Sequence, residues 1–249
     1  MSFVINPYRF GGGAPPSVQW DGYGQNSQVF DGATNHADVS ADATINNIFD
    51  GGGTVAVWVK VESDGGADTG RILDKRDVSG GWFILTLSEV GGACKIRFNQ
   101  DFTTTDMRVD TTTADVTLNT WTHIALTYDS SSAATEPIMY IDGTALTIGS
   151  GLTEVLNSSG TAVSDASEGL TFANVASALN RGFDGSMCDV RLYDSILSAA
   201  TIGNLANGYH QATDLVSWWK LLNSDYTDSV GSNDATNTGA AFDEDGPAD

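Results

Sequence analysis

The chain has 249 residues and a formal net charge of −21, with 32 acidic residues against 11 lysines and arginines. The cations are few and scattered, whereas nucleic-acid binding needs them clustered, and no apolar run approaches the ~20 residues that a membrane helix needs. We therefore expect neither nucleic acid nor membrane as a partner. Glycine is frequent at 28 residues, proline is scarce at 5, and Thr, Val and Ile fill alternating runs, which predicts a turn-rich β protein with one core.

The first 18 residues are predicted to form a separate segment. Residues 1–18 are rich in apolar and aromatic side chains and end in glycines and prolines, a composition typical of a hinge or linker. We predict an anchor arm that docks on a neighbouring subunit or particle; the alternative is an ordered lead-in that pairs with the edge of the body. The side chains predicted to make the contact are Phe3, Ile5, Tyr8 and Phe10. The body then comprises residues 19–249.

The start of the chain also bears on where the protein is made. No basic segment followed by an apolar stretch occurs there, so no secretory signal is predicted and synthesis in a cytoplasm is expected.

The run from Thr54 to Val61 is the first strong strand pattern. Four valines occupy one face of it, and Trp58 shares the other face with smaller or polar residues. The valines are expected to meet a facing sheet. Because aromatic faces stack on sugar rings, Trp58 is a candidate ligand platform. The alternative is a tryptophan covered by a loop or a helix that crosses this face.

Residues 120–143 form the central pattern. After Trp121, apolar and polar residues alternate as far as Tyr128, a Ser/Ala-rich loop follows, and a second short run ends in the turn Asp142-Gly143. This predicts a strand, a loop, a strand and a tight turn. His123 lies within the first strand and is a candidate ligand-binding residue, with a packed strand residue as the alternative.

The last two fifths of the chain carry three predicted features. Residues 147–178 form a long Ser/Thr/Gly/Asp-rich loop region, and such loops are more often functional or mobile than inert. Ser198 is a predicted N-cap for a short helix over residues 199–206. Residues 215–222 are predicted to close the sandwich as a C-terminal strand, in which Trp218 and Trp219 point to opposite faces.

Several words of the sequence resemble a known family. Five segments are similar to motifs of the laminin-G-like or concanavalin-A-like jelly rolls. They are the pair WTHIALTYD and YIDG, the opening QVFDG, the strand GTVAVWVKVESD and the segment FDGSMCDVRLYDSILSAATI. The similarity covers roughly residues 28–206. It implies an all-β fold, a two-sheet antiparallel jelly-roll sandwich with one short helix near residues 199–206.

The resemblance also implies a calcium site. Many jelly rolls of this type hold Ca²⁺ between two short motifs. In this chain the first motif corresponds to Phe30-Asp31-Gly32 and the second to Cys188-Asp189-Val190. Asp184 is the third candidate ligand. Hard cations take several oxygens at once, and Asp-rich loops between strands can supply them. Cys188 replaces the first aspartate of the second motif and is a poor calcium ligand.

Catalysis is not expected. Glucanases that share this sandwich carry an E-x-D-x-E word on one strand, which flanks the scissile bond with two carboxylates. None of the six glutamates of this chain has that spacing. The histidines at 36, 123 and 210 are isolated, and no metalloprotease or serine-hydrolase word occurs.

The functional expectation combines these features. Residues 1–10 resemble the starts of proteins encoded by environmental bacteriophages. With the acidic charge and the missing signal, this predicts a non-catalytic virion surface protein, as a capsid decoration, fibre or tail component. Its partners would be virion proteins, and it could form a symmetric homo-oligomer. The alternative is a carbohydrate-binding, host-recognition module for cell-surface glycans that uses Trp58 or the 147–178 loops. A glycoside hydrolase or lyase is the third class.

Overall fold

The structure, a computed structural model, describes residues 19–20, 23–76, 80–175 and 178–247. The predicted anchor arm therefore lies outside the described residues. In the described part the chain is almost entirely β, with one short α-helix and a 3₁₀ turn at Gly66–Asp68. The predicted all-β class is confirmed. None of the described helical segments is long and apolar enough to span a membrane.

Seventeen strands follow one another in the described residues. They are β1 (Ser27–Asp31), β2 (His36–Val39), β3 (Gly53–Val61), β4 (Arg71–Arg76), β5 (Gly81–Leu87), β6 (Ala93–Gln100), β7 (Met107–Thr111), β8 (Val116–Thr117), β9 (Trp121–Tyr128), β10 (Ile138–Ile141), β11 (Thr144–Ile148), β12 (Gly151–Leu156), β13 (Leu170–Phe172), β14 (Asp184–Tyr193), β15 (Leu215–Trp219), β16 (Ala235–Thr238) and β17 (Ala241–Asp243). The helix α1 (Ala199–Leu205) lies between β14 and β15.

The strands form two sheets. The first sheet has the order β17-β1-β14-β3-β9-β10-β11, and β15 also pairs with β14. The second sheet has the order β16-β2-β13-β4-β5-β6-β7-β12, with β8 on β6. Strand β11 reaches β12 and so joins the sheets. The pairings are antiparallel except for that short contact.

The core lies between the sheets and follows from the alternation of side chains. The four valines of β3 (Val55, Val57, Val59 and Val61) are each 0% exposed and belong to one cluster with Phe98 and Phe172 of the second sheet. Because a fully buried valine contributes about 1.5 kcal/mol or more, this one strand face is a substantial part of the stability. The expectation that the valines meet the facing sheet is confirmed.

The helix α1 covers the outer face of the first sheet. Ser198 caps it, since its Oγ accepts a hydrogen bond from the Thr201 N–H at 3.2 Å. Ile202 and Leu205 are buried in a second apolar cluster that also contains Trp20 and Trp218. The helix predicted at residues 199–206 is confirmed, and it is one residue shorter at its C-terminal end.

Two segments differ from the sequence-based expectation. The strand expected over residues 215–222 ends at Trp219, because Leu221 and Asn223 adopt positive φ angles of 57° and 52°, which break extended backbone. The expected long loop over residues 147–178 is interrupted by β12 and β13 and begins inside β11. In β12 the exposed side chains of Thr153 and Glu154 hide the strand pattern in the sequence.

Candidate functional site

A polar pocket of about 240 Å³ opens at one end of the sandwich. Three connections meet there, namely those between β2 and β3, between β9 and β10, and between β12 and β13. The last of these belongs to the loop region that the sequence singled out. The residues that line the pocket are Asn47, Phe49, Asp50, Gln100, Ser130, Ser131, Thr161, Ala162, Val163, Ser164 and Asp165.

Two of the connections are joined by a reciprocal pair of hydrogen bonds. The Asn47 N–H donates to Asp165 Oδ1 at 2.7 Å, and the Asp165 N–H donates to Asn47 Oδ1 at 3.0 Å. Each residue therefore satisfies a backbone donor of the other loop. The two loops hold one relative position without regular secondary structure between them.

A buried lysine also holds the same two loops together. Lys75 is 0% exposed, and its ammonium donates to Asn46 Oδ1, to the Asp165 carbonyl at 3.0 Å and to the Glu168 carbonyl at 2.6 Å. Its Nζ also lies 3.3 Å from Asp165 Oδ1. Burial lowers the pKa of Lys75 and raises the pKa of Asp165, while their attraction opposes both changes. The three donors of the ammonium are engaged, so this cation holds the loops and offers nothing to a ligand.

The remaining walls are attached to the core. The Ser130 N–H donates to the Phe49 carbonyl at 2.7 Å, which ties the β9–β10 connection to the β2–β3 connection. The Phe49 ring packs edge-on against Trp82 and Phe98 at 5.3 and 5.6 Å between centroids. The Val163 N–H donates to the Asp101 carbonyl at 2.9 Å. The pocket is therefore formed before any ligand arrives.

The mouth of the pocket carries exposed polar groups. Asp50, Ser131, Thr161 and Ser164 are all exposed. They present one carboxylate and three hydroxyls, which can both donate and accept hydrogen bonds. Such a set matches a ligand with many hydroxyls. Sequence reasoning found the 161–165 segment through its loop character, but it missed residues 47–50 and 130–131, because only the tertiary fold brings them alongside.

The structure does not place Trp58 and His123 at a ligand surface. Trp58 is 6% exposed and packs edge-on against Tyr23 at 5.9 Å and against His123 at 5.3 Å between ring centroids. His123 is 1% exposed, and burial, with a contribution from Arg191, lowers its pKa to about 3. The predicted ligand platform is corrected here, since neither ring offers a face to solvent. The alternative of a covered tryptophan describes the structure.

The three predicted calcium ligands do not converge either. Asp31 and Asp184 are cross-strand partners of β1 and β14, whereas Asp189 lies five residues further along β14, roughly 17 Å away by the rise of a strand. Asp31 Oδ1 accepts from the N–H groups of residues 33, 34 and 35, and Asp184 Oδ2 accepts from Ser63.

Asp189 has a different role. It is 2% exposed, and its Oδ1 accepts from Arg191 Nε at 2.7 Å and from Trp218 Nε1 at 2.6 Å. No group of three or more His, Cys, Asp or Glu side chains in the described ranges is arranged to hold a metal ion. The residues present do not fit the calcium site that the resemblance implies.

Two packed β-sheets, antiparallel except for one short pairing, define a jelly-roll β-sandwich. The family model of the Concanavalin A-like lectin/glucanases superfamily matches residues 31–203, more than half of the chain, and the chain belongs to this family. The family resemblance seen in the sequence is thereby confirmed. No curated protein sequence matches the chain.

Several solved structures are similar to this one. A protein of Bacteroides ovatus ATCC 8483, described as a candidate carbohydrate-binding protein, superposes with a TM-score of 0.64 at 17% identity over 89% of this chain and 60% of its own. The heptameric SAP-like pentraxin of Limulus polyphemus gives 0.58 at 11% identity over 89% of this chain and 95% of its own.

The enzymatically active domain of tailspike protein 2 of bacteriophage CBA120 gives a TM-score of 0.51 at 15% identity over 79% of this chain and 33% of its own. At these identities the likeness shows a common fold. The chain spans 60% of the Bacteroides protein and a third of the tailspike domain.

Proposed function

We propose that the chain is a carbohydrate-binding protein that holds its ligand in the loop-end pocket and does no chemistry on it. The observation that carries this proposal is a preformed polar pocket of about 240 Å³ with one carboxylate and three hydroxyls exposed at its mouth. The description of the Bacteroides protein as carbohydrate binding supports it. The sequence alone favoured assembly on a virion as the function. Because of the pocket, we now prefer glycan recognition, which was the alternative.

The size of the pocket limits the ligand. Pockets for drug-sized molecules have volumes of roughly 300–1,000 Å³, so about 240 Å³ suits a small group such as one terminal sugar ring. Asp165 is bound to Lys75 and Asn47, which leaves it no role as a general acid. Asp50 is then the one exposed carboxylate of the lining. Binding without catalysis agrees with this arrangement, because glycoside hydrolysis ordinarily uses two carboxyl groups.

The experiment is a glycan-array screen of the full chain, followed by calorimetric titration with the best neutral sugar. Ala162→Trp fills the pocket and should abolish measurable binding. Asp50→Ala removes an exposed hydrogen-bonding group and should weaken binding about tenfold, the equivalent of ~1.4 kcal/mol. Glu62→Ala is the matched control, because Glu62 is another exposed carboxylate that does not line the pocket.

The result has two decisive forms. Loss of binding in Ala162→Trp with unchanged binding in Glu62→Ala supports the pocket as the site. Equal binding by all three variants, or no neutral sugar bound by the parent protein, overturns the proposal.

Display on a bacteriophage particle is a second proposal. Its support is the resemblance of residues 1–10 to phage proteins, the net charge of −21, and the fold shared with a phage tailspike domain. The arm that would anchor the chain lies outside the described residues. Mass spectrometry of purified particles from the source phage tests it, and absence of the protein from them would end it.

A further inference from the structure

The outer face of the second sheet gathers arginines in an otherwise acidic chain. Arg71 and Arg76 of β4 lie 3.4 and 5.6 Å from the centroid of the Phe83 ring. Phe83 is the register partner of Asn99, and Asn99 is the partner of Arg108. The neighbouring positions along these strands point into the core. We call this surface, with Arg97 of β6 and the adjacent Arg181, the arginine face.

Two of these arginines have carboxylate partners. Arg97 makes a bidentate pair with Asp110, with Nε and Nη2 at 2.6 and 2.7 Å from the two carboxylate oxygens. Arg76 Nε lies 2.6 Å from Asp101 Oδ2. Such pairs neutralise their own charge and leave little for a ligand.

Two others have no ionic partner among the described residues. Arg108 Nε donates to the amide oxygen of Asn99 at 2.9 Å, and Arg181 Nη1 donates to Thr69 Oγ1. Neither forms an ion pair with a carboxylate of the described chain, although the protein has 32 acidic residues. Burial and the nearby Arg97 and Arg76 lower the pKa of Arg108, while Asp106 and Asp110 raise it, so this guanidinium lies among charges of both signs without a paired carboxylate.

Arg71 lies in the middle of the face and is incompletely satisfied. It is 7% exposed, its Nε is 3.0 Å from Asp74 Oδ2, and its buried Nη1 has no hydrogen-bond partner in the described residues. Burial lowers the pKa of Arg71 to about 10 against the attraction of Asp74, and Arg181, Arg76 and Arg108 lower it further. Burial raises the pKa of Asp74 to about 7, so near neutral pH this carboxylate is only partly charged.

We propose that the arginine face binds the carboxylate or sulfate groups of an acidic polysaccharide, a second site that goes beyond the neutral-sugar pocket. A guanidinium presents a planar fork that fits carboxylate and sulfate oxygens in a bidentate manner. Neighbouring strands lie about 4.8 Å apart, so the arginines from β4 to β7 extend over roughly 14 Å. That span fits spaced charges on one chain better than a single small anion.

The face suits a polysaccharide better than a nucleic acid. Single-stranded nucleic acids bind through aromatic rings on which bases stack. Phe83 is only 4% exposed and lies beneath Arg71, so it offers no stacking surface.

Calorimetric titration of the full chain tests this site. The probes are a sulfated hexasaccharide, a hexagalacturonate and a neutral maltohexaose, at about 50 and about 150 mM salt, because screening weakens ionic contacts. Arg108→Gln and Arg181→Gln should each weaken binding of the acidic probes about tenfold. Lys220→Gln is the matched control, since it removes one positive charge beyond β15 in the first sheet.

The outcomes separate this proposal from the previous one. Salt-sensitive binding of the acidic probes that falls in both arginine variants and persists in Lys220→Gln supports the arginine face, whether or not the pocket binds a neutral sugar. Equal loss in Lys220→Gln, equal binding of maltohexaose, or tighter binding of a single-stranded DNA of similar charge overturns it. Complete displacement by millimolar inorganic sulfate would show a small-anion site and also overturns it. Circular dichroism confirms that each variant is folded.

Discussion

The outer faces of both sheets carry arginine and aromatic side chains, but the exposure of the arginines differs between the two faces. On the first sheet, Trp58, His123 and Arg191 are at most 6% exposed. The Tyr23 ring packs against Trp58, and the Arg191 guanidinium lies over the Trp218 ring. On the second sheet the arginine side chains differ in exposure, and Arg71 is only 7% exposed. Those of Arg76 and Arg97 are 38% and 22% exposed. The same alternating pattern thus produces a closed face in one sheet and, in the other, a partly exposed face that we call the open face.

Because the two faces differ in exposure, the loss of one partner of an ion pair has a different energetic cost on each face. Asp189 and Arg191 have side chains only 2% and 1% exposed, and their Oδ1 and Nε lie 2.7 Å apart. Asp110 and Arg97 make an equally short contact, but their side chains are 14% and 22% exposed. A buried charge that loses its partner has no water to replace it, whereas an exposed one does.

The largest expected effect is therefore on the closed face. Asp189→Ala should lower the free energy of unfolding by about 3–5 kcal/mol, because it leaves the fully buried Arg191 and the Trp218 N–H without their acceptor. Asp110→Ala on the open face should cost about 1 kcal/mol or less. Urea unfolding of both variants, followed by tryptophan fluorescence, measures the difference. Equal losses would show that the two faces are equally hydrated and would remove the contrast.

The second expected effect is a pH dependence of opposite sign on the two faces. Burial raises the pKa of Asp74 to about 7, so the folded state binds a proton that the unfolded state releases above pH ~4. Stability from this group therefore falls as pH rises from about 4 to 7. Burial lowers the pKa of His123 to about 3, so the unfolded state is protonated below pH ~6.5 while the folded state is not. Stability from this group rises with pH over about 3 to 6.5.

Variants separate the two contributions. Asp74→Asn should make the unfolding free energy rise more steeply, or fall less steeply, between about pH 4 and 7, by up to about 1.4 kcal/mol per pH unit. His123→Gln should change the slope in the opposite direction. Guanidinium titrations at four pH values measure both slopes. The same sign of change in the two variants would contradict the assignment of the groups.

These contrasts show what the sequence could predict. Alternation placed the valines of β3 in the core, and the cap at Ser198 located α1, because both depend on neighbours in the chain. Alternation also separated Trp218 from Trp219, which belong to different clusters. It could not show that Trp58 is covered, because the cover comes from residues far away in the chain.

The candidate site was predictable only in part for the same reason. The loop character of residues 161–165 was visible, but its pairing with Asn47 spans 118 residues. The arginine face was hidden as well, since Arg71, Arg97 and Arg108 are scattered along the sequence and meet only through sheet register. A binding site whose residues come from several strands leaves no contiguous motif in the sequence.

The smallest expected effect concerns calcium and tests the assignment of Asp189 to the closed face. A site with a dissociation constant of about 10 μM would stabilise the fold by ~2.7 kcal/mol in 1 mM Ca²⁺. Because Asp189 is held by Arg191 and Trp218, and Asp31 and Asp184 lie elsewhere along the strands, we expect a change below about 0.5 kcal/mol. Thermal unfolding with Ca²⁺ and with a chelator measures it. A larger stabilisation that is abolished in Asp189→Asn would mean that this carboxylate separates from Arg191 to bind the metal ion. The closed face would then have to open when calcium binds.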